Sequence, residues 1–276
     1  MEFQLTAQYI FFLPLLGFAV AALGTVVGLG GGFILVPILI FLFPTASPAT
    51  ITSISLTFIL LNTASATLGN IRARRIDMRT AVLLLVGAAP AAEAGSLVAG
   101  AISRETFQFL FGLVLILGAG YVLWRARSVL APTSPEERDP NRHIHERTGT
   151  VWRFYVNEVI AALISPIGGF ISSLFGIGGG VIHMPAMVFV LKIPTRIASA
   201  TSLLILVPTS LAAVLTHILV GQYTQGWRRA LLLGLGALIG GQLGVYLAPR
   251  INQRVMLFVL AAGMAAVGTR QIIARL

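Results

Sequence analysis

Two ten-residue stretches put backbone chemistry where side chains offer almost none. Residues 28–37 read GLGGGFILVP, and residues 176–185, 148 positions later, read GIGGGVIHMP. A glycine costs about 1 kcal/mol relative to alanine in a helix interior, and both stretches lie inside long apolar runs. Three consecutive glycines therefore predict a broken helix. The freed N–H groups and the dipole of the helix that restarts after the break form a site for an anion. Gly30, Gly31 and Gly32, with Gly178, Gly179 and Gly180, are the candidate substrate-binding amides. A packing reading competes, because Gly24, Gly28 and Gly32 recur every four residues, as do Gly168, Ser172, Gly176 and Gly180, and small residues at that spacing pack helices together. Packing explains neither Gly30-Gly31 nor Gly178-Gly179, nor a proline at the same offset in both copies. A break lining a cavity is the expectation.

Hydroxyl and amide side chains follow each break. TITSISLTFILLNTASATLGN (50–70) carries Ser55 and Asn62, and ATSLLILVPTSLAAVLTH (200–217) carries Thr201 and Ser202. Serine and threonine also serve as packing residues in membranes, but Ser55 and Ser202 recur at matching places, which makes them candidate ligands on an equal footing with packing residues. Glu93, in GAAPAAEAG, is the one acidic residue deep in an apolar run, with Gln242 at the matching place. An intramembrane carboxylate is a functional residue by default, the alternative being a neutral, hydrogen-bonded glutamic acid. His183, two residues before Pro185, has Leu35 as its counterpart, and histidine ordinarily titrates near neutrality. Glu93 and His183 are the candidate proton-coupling groups.

These residues need membrane helices to position them. The 276 residues are 57% hydrophobic and only 10% charged, with mean hydropathy +0.91, against about 25% charged in soluble domains. Apolar runs recur at 9–43, 51–71, 80–101, 106–124, 154–191, 197–220, 229–249 and 255–269. A span takes about 17–25 residues, so the two glycine-bearing runs are too long for one simple crossing. The expected fold is an all-α polytopic membrane protein. MEFQLTAQYIFFLPLLG lacks a basic n-region and reads as a retained first helix, not a signal peptide.

The same unit is written twice. Gly28, Gly30–Gly32 and Pro37 match Gly176, Gly178–Gly180 and Pro185, and Arg79, Gly87 and Gly95 match Arg228, Gly236 and Gly244. The expected domains are a first repeat over 1–127, a polar cytoplasmic linker over 128–152 and a second repeat over 153–276. Each repeat holds about four membrane segments and opens with the glycine-broken helix. Whether the repeats are parallel or inverted stays open, since either topology puts 14 of the 19 Lys and Arg on the linker side. That bias makes the linker side cytoplasmic.

Several function classes fall away. The net charge of +10 sits in loops, with no basic helix interleaved with aromatics, so nucleic acid is not a partner. Cysteine is absent, which removes disulfides and thiolate chemistry. No GxxxxGK[ST], HExxH or serine-elbow pattern occurs, so the chain is not expected to be an enzyme or to need a cofactor or metal. His143 and His145 read as solvated linker residues. The expected partners are a small anion, the lipid bilayer and a second copy of the chain in a homodimer.

The doubled pattern G-[LI]-G-G-G-x-[IL]-x-x-P resembles the sulfite exporter TauE/SafE family of membrane transporters. So do SISLTFILLNTASATLGNIRARRID with GAAPAAEAG, and ATSLLILVPTSLAAVLTH with GALIGGQLG. The resemblance covers nearly everything except the linker. It implies transport of small sulfur-containing anions such as sulfite or organosulfonates across the inner membrane, coupled to an ion gradient, with the glycine loops and serine-bearing helices lining the path. The expected mechanism is alternating access, one repeat moving against the other. A passive anion channel or uniporter is the alternative.

Overall fold

The computed structural model of the chain describes residues 7–129, 139–221 and 226–273. The first half runs α1 (Ala7–Val27), α2 (Gly32–Leu42), α3 (Pro48–Ala73), α4 (Met78–Ala99) and α5 (Arg104–Val129). The second runs α6 (Glu158–Phe175), α7 (Gly180–Phe189), α8 (Thr195–Leu219), α9 (Trp227–Leu247) and α10 (Gln253–Ile273). Among the described residues, seven helices (α1, α3–α6, α8 and α9) are long and apolar enough to cross a membrane. The fold is all-α and polytopic, and both glycine-bearing runs are broken where the triple glycines predict. The short helices α2 and α7, of 11 and 10 residues, restart after the breaks.

Local chemistry sets the ends of these helices. Ser47 accepts from the Thr50 N–H at 3.2 Å ahead of Pro48, a helix N-cap followed by a residue whose missing N–H costs nothing there. Asp77 caps α4 through Thr80, and Asn157 caps α6 through Val159 and Ile160. At the far end of α2, the Arg104 guanidinium donates to the carbonyls of Ile40 at 2.9 Å, Phe43 at 3.3 Å and Ala46 at 2.5 Å. A cation there satisfies terminal carbonyls and complements the negative end of the helix dipole.

Contacts fix the running direction of each helix. Pro14 and Phe18 of α1 meet Gly236, and Ala22 and Thr25 meet Gly244, so α1 and α9 are parallel. Leu61 meets Gly234 and Val245 meets Gly69, so α3 also runs parallel to α9. Successive helices α1 and α3 thus point the same way, and α2 must return between them. The chain does double back. Gly31 lies against Val20 and Gly24, whereas an unbroken helix would carry it about 16 Å past Val20. In the other half, Ser165 and Pro166 meet Gly87 while Phe170 and Leu174 meet Gly95, so α6 is parallel to α4. The α3–α8 pair is antiparallel, joined by Thr52 with His217 at one end and by the Asp77 N–H with Thr201 at the other. Gly112 on Gly268, with Gly118 on Met264, makes α5 and α10 antiparallel as well. Each helix of the second half therefore runs opposite to the helix of the same order in the first, which decides the arrangement that charge bias left open.

Two expectations need correction. The halves do not form separate bodies, because the most extensive helix pairs are α1 with α9 and α4 with α6. The first helix of each half packs on the fourth helix of the other, made close by glycines at the contact, so one half cannot slide rigidly past its partner. The linker, too, is more than a solvated strand of polar residues, although its positions 130–138 lie outside the described residues, as do 1–6 of the expected first helix. Beyond them, β1 (Arg142–His145) and β2 (Val151–Phe154) form an antiparallel hairpin. His143 and His145 are exposed, but Arg142 and Glu146 are buried. Arg142 pairs with Asp77 at 3.3 Å and Glu158 at 3.0 Å, binding the hairpin onto the helices.

The cysteine-free sequence makes the topology testable. Single Thr148→Cys and Arg228→Cys proteins in sealed vesicles should react with a membrane-impermeant maleimide from opposite faces. Labelling of both from one face would contradict the opposed arrangement.

Candidate functional site

Both α1 and α6 end in the same hydrogen-bonded turn. Gly28 (φ 81°) donates to Thr25 O at 3.0 Å while Leu29 donates to Gly24 O at 2.8 Å. Gly176 (φ 64°) donates to Ser173 O at 3.2 Å while Ile177 donates to Ser172 O at 3.0 Å. This is the Schellman closure, and its left-handed residue favours glycine. The chain then needs a second reversal to start the short helix, taken by Gly30 and Gly31 (φ 73° and 87°) in one break and by Gly178 (φ 67°) in the other. Gly179 differs: its φ is −54°, and it is small because a Cβ there would press on the His183 ring.

The two breaks meet. A Cβ on Gly32 would lie 2.6 Å from Ile177 O, and one on Gly180 would lie 2.5 Å from the Leu29 Cα. Neither position has room for any side chain. Gly28 packs on Ser199 of α8 and Gly176 on Thr52 of α3. Gly30 and Gly178 both face Ile59 and Leu206, each the twelfth residue of its helix (α3 has 26 residues and α8 has 25). That places the breaks near the middle of the two long helices, at membrane depth.

Helix starts leave N–H groups without intrahelical partners. Among the described residues, the N–H groups of Gly30–Phe33 and of Gly178–Val181 make no hydrogen bond. The carbonyls, in contrast, are tied down. Asn62 Nδ2 donates to Gly30 O at 3.0 Å, and its Oδ1 accepts from Thr25 Oγ1 at 3.0 Å, so Asn62 splints the first break. Ser55 Oγ donates to Gly176 O at 2.5 Å and fixes the second. Carbonyls held and amides left free make an electropositive lining suited to oxyanion oxygens. Ile59 and Leu206, both wholly buried, fill the space in front of it.

The structure thus brings together Gly30, Gly31, Gly32, Gly178, Gly179, Gly180, Ser55 and Asn62. Ser202 stands one turn beyond Ser199 on the same face of α8, is fully buried, and its Oγ has no partner among the described residues. His183 is buried beside the second break. Its Nδ1 lies 3.0 Å from Gly179 O and must donate, leaving Nε2 bare against Gly168. Two predicted residues are elsewhere. Thr201 accepts the Asp77 N–H at 3.1 Å and secures the start of α4, since it sits a quarter-turn from the face that meets the breaks. Glu93 is exposed on α4, and among the described residues no hydrogen bond or ion pair joins its side chain to either break. Sequence reasoning missed Thr25, whose hydroxyl is buried at the end of α1, and the Ile59–Leu206 pair, which carries no chemical signature. The pair does recur at the spacing that relates Ser55 to Ser202, and so do Thr52 and Ser199.

A family model described as sulfite exporter TauE/SafE matches residues 13–270. The probable membrane transporter protein YunE of Bacillus subtilis (strain 168) is 27% identical over 266 residues, covering 94% of this chain and 96% of its own. A probable membrane transporter protein of Methanocaldococcus jannaschii is 25% identical, covering 97% and 98%. Another, from Xylella fastidiosa (strain Temecula1), is 28% identical, covering 86% and 83%. No solved structure matches the chain.

The two serines should separate in a stability assay. Ser55→Ala strands the Gly176 carbonyl and should cost about 1–3 kcal/mol, read as a lower unfolding temperature in detergent. Ser202→Ala breaks no hydrogen bond and should leave that temperature nearly unchanged while reducing transport. Equal destabilisation by both would contradict the assignment.

Proposed function

This chain belongs to the sulfite exporter TauE/SafE family of membrane transporters, and from that premise we propose that it carries a small sulfur-containing anion, sulfite or an organosulfonate, by alternating access. One observation supports the reading above the others: two sets of free helix-start amides, Gly30–Phe33 and Gly178–Val181, belong to breaks that touch at mid-depth, with no lysine or arginine against them among the described residues. Such amides bind anions through oriented N–H groups and the positive ends of two helix dipoles. Fixed partial charges hold an anion less tightly than a buried cation would, which suits a group that must be released on the other side.

Ile59 and Leu206 act as the apolar plug between the breaks. Since helices pair across the halves, the moving units are α1–α3–α9 and α4–α6–α8, with the breaks at their junction. Rocking one bundle against the other opens the amides first to one side and then to the other. Ser202 supplies a free hydroxyl donor, while Ser55 keeps the Gly176 carbonyl turned away from the substrate's oxygens. His183 stands where a coupling proton would act, whereas Glu93, on the outward face of α4, does not reach the path. The basic linker side is cytoplasmic in this reading, the host membrane is the inner membrane, and the direction is export.

Flux in proteoliposomes tests it. Sulfite, sulfoacetate and taurine are each offered with and without an imposed pH gradient. Gradient-driven accumulation of a sulfur anion, lost in Gly30→Ala and Gly178→Ala proteins that still purify as folded monodisperse species, is the expected result; the added methyls meet only side chains, those of Thr63, Ile59 and Leu206. Downhill flux indifferent to the gradient would make the protein a channel or uniporter, and unimpaired flux in the glycine variants would remove the amide site.

A further inference from the structure

A cavity lies outside the breaks, under the linker hairpin. It has a volume of about 420 Å³ and is floored by Thr25 and Ser199, the residue on which Gly28 packs. Arg75, from the turn after α3, and Arg196, in the first turn of α8, stand in its wall, with Trp152 of β2 above them. Thr195 also lines it, and the Thr195 Oγ1 is buried with no hydrogen-bond partner among the described residues. The N-terminus of the 25-residue helix α8 opens into the same space. An unsatisfied buried hydroxyl, a helix start and two guanidiniums converge on one cavity, and all of them favour an anion.

The chain itself already sets one anion against the two arginines from behind the cavity wall. The Glu146 carboxylate, from the turn between β1 and β2, is wholly shielded from solvent. It accepts from Arg75 Nε at 3.2 Å and from Trp152 Nε1 at 2.7 Å, and it lies 3.6 Å from Arg196. The hairpin is pinned to the end of α3 by Arg147 N–H on Ala73 O at 3.1 Å. Two guanidiniums against one carboxylate leave a positive charge unmatched. Arg196 is the weaker of the two partners of Glu146: it is a third exposed and beyond hydrogen-bond distance of the carboxylate, and its Nη2 donates instead to the Pro249 carbonyl at 2.8 Å.

Resting on the transport reading above, we propose that this cavity is an anion antechamber on the linker side, selective for small sulfite- or sulfonate-like oxyanions, in which Glu146 serves as a tethered competitor. An arriving anion takes Arg196 and the Thr195 hydroxyl, draws Arg75 from Glu146, and so releases the hairpin from the mouth of the path to the first break. An empty transporter keeps Glu146 in place and the mouth closed.

Trp152 provides the readout, because it bonds to Glu146 and lines the cavity. With Trp124→Phe and Trp227→Phe, it is the one tryptophan left of three. In detergent free of anionic lipid, sodium sulfite titrated against gluconate at constant ionic strength should change Trp152 emission saturably. Glu146→Gln should tighten that binding about tenfold, and Arg196→Gln should weaken it about tenfold. If Glu146→Gln does not fold, Glu146→Asp, whose carboxylate falls one methylene short of the arginines, should shift affinity in the same direction. Affinity unchanged in these variants overturns the proposal. So does a Trp152 response to phosphatidylglycerol nanodiscs in the absence of sulfite, which would make the site one for a lipid headgroup. Binding here is read without flux. A saturable signal beside failed transport sinks the transport reading and keeps this site, and intact transport beside a silent Trp152 does the reverse.

Discussion

A polypeptide inside a bilayer has no water on which to spend an unpaired amide, so an N–H group left free at depth must be buried by protein or face a cavity. Here two helices stop and restart in the middle of the membrane domain, and their free starts are set against each other. Gly32 against Ile177 and Gly180 against Leu29 allow backbone to touch backbone, and the rest of the architecture follows from holding those two breaks in contact. Asn62 and Ser55 restrain the carbonyls, Arg104 ties down the far end of α2, and Ile59 and Leu206 seal the space in front.

The interlocking of the halves serves the same end. If each half folded only on itself, the breaks would meet across a weak seam between two bodies. Instead α1 lies along α9 and α6 along α4, through glycine contacts that bring helix backbones close. The seam is therefore distributed between two bundles, each containing helices from both halves, and both breaks lie where the bundles adjoin.

Much of this was legible in the sequence because glycine is costly. A triple glycine in an apolar run has few explanations, and its recurrence with a proline at one offset located both breaks. Ser55 and Ser202 were found by recurrence. The rest was hidden for definite reasons. Glu93 drew notice for its charge, but residue type does not tell which side of α4 faces outward. Thr201 and Ser202 are neighbours in sequence and a quarter-turn apart in space, and Thr201 alone is taken up by the start of α4. Ile59 and Leu206 are two aliphatic residues among dozens. The hairpin over 142–154 has a polar composition, and the pairing of Arg142 with Asp77 and Glu158 and of Glu146 with Arg75, which ties it to the helices, is tertiary. The opposed direction of the halves was likewise beyond charge counting, since both topologies distribute Lys and Arg alike.

The measurement that bears most directly on the account is the position of a bound oxyanion. Selenite is a sulfite analogue whose selenium can be located by anomalous scattering in crystals of the protein. The account predicts a selenium site between the two breaks, its oxygens within hydrogen-bond reach of the N–H groups of Gly30–Phe33 or Gly178–Val181, with Ile59 and Leu206 displaced. Selenite bound at saturating concentration with no selenium near either break would contradict it.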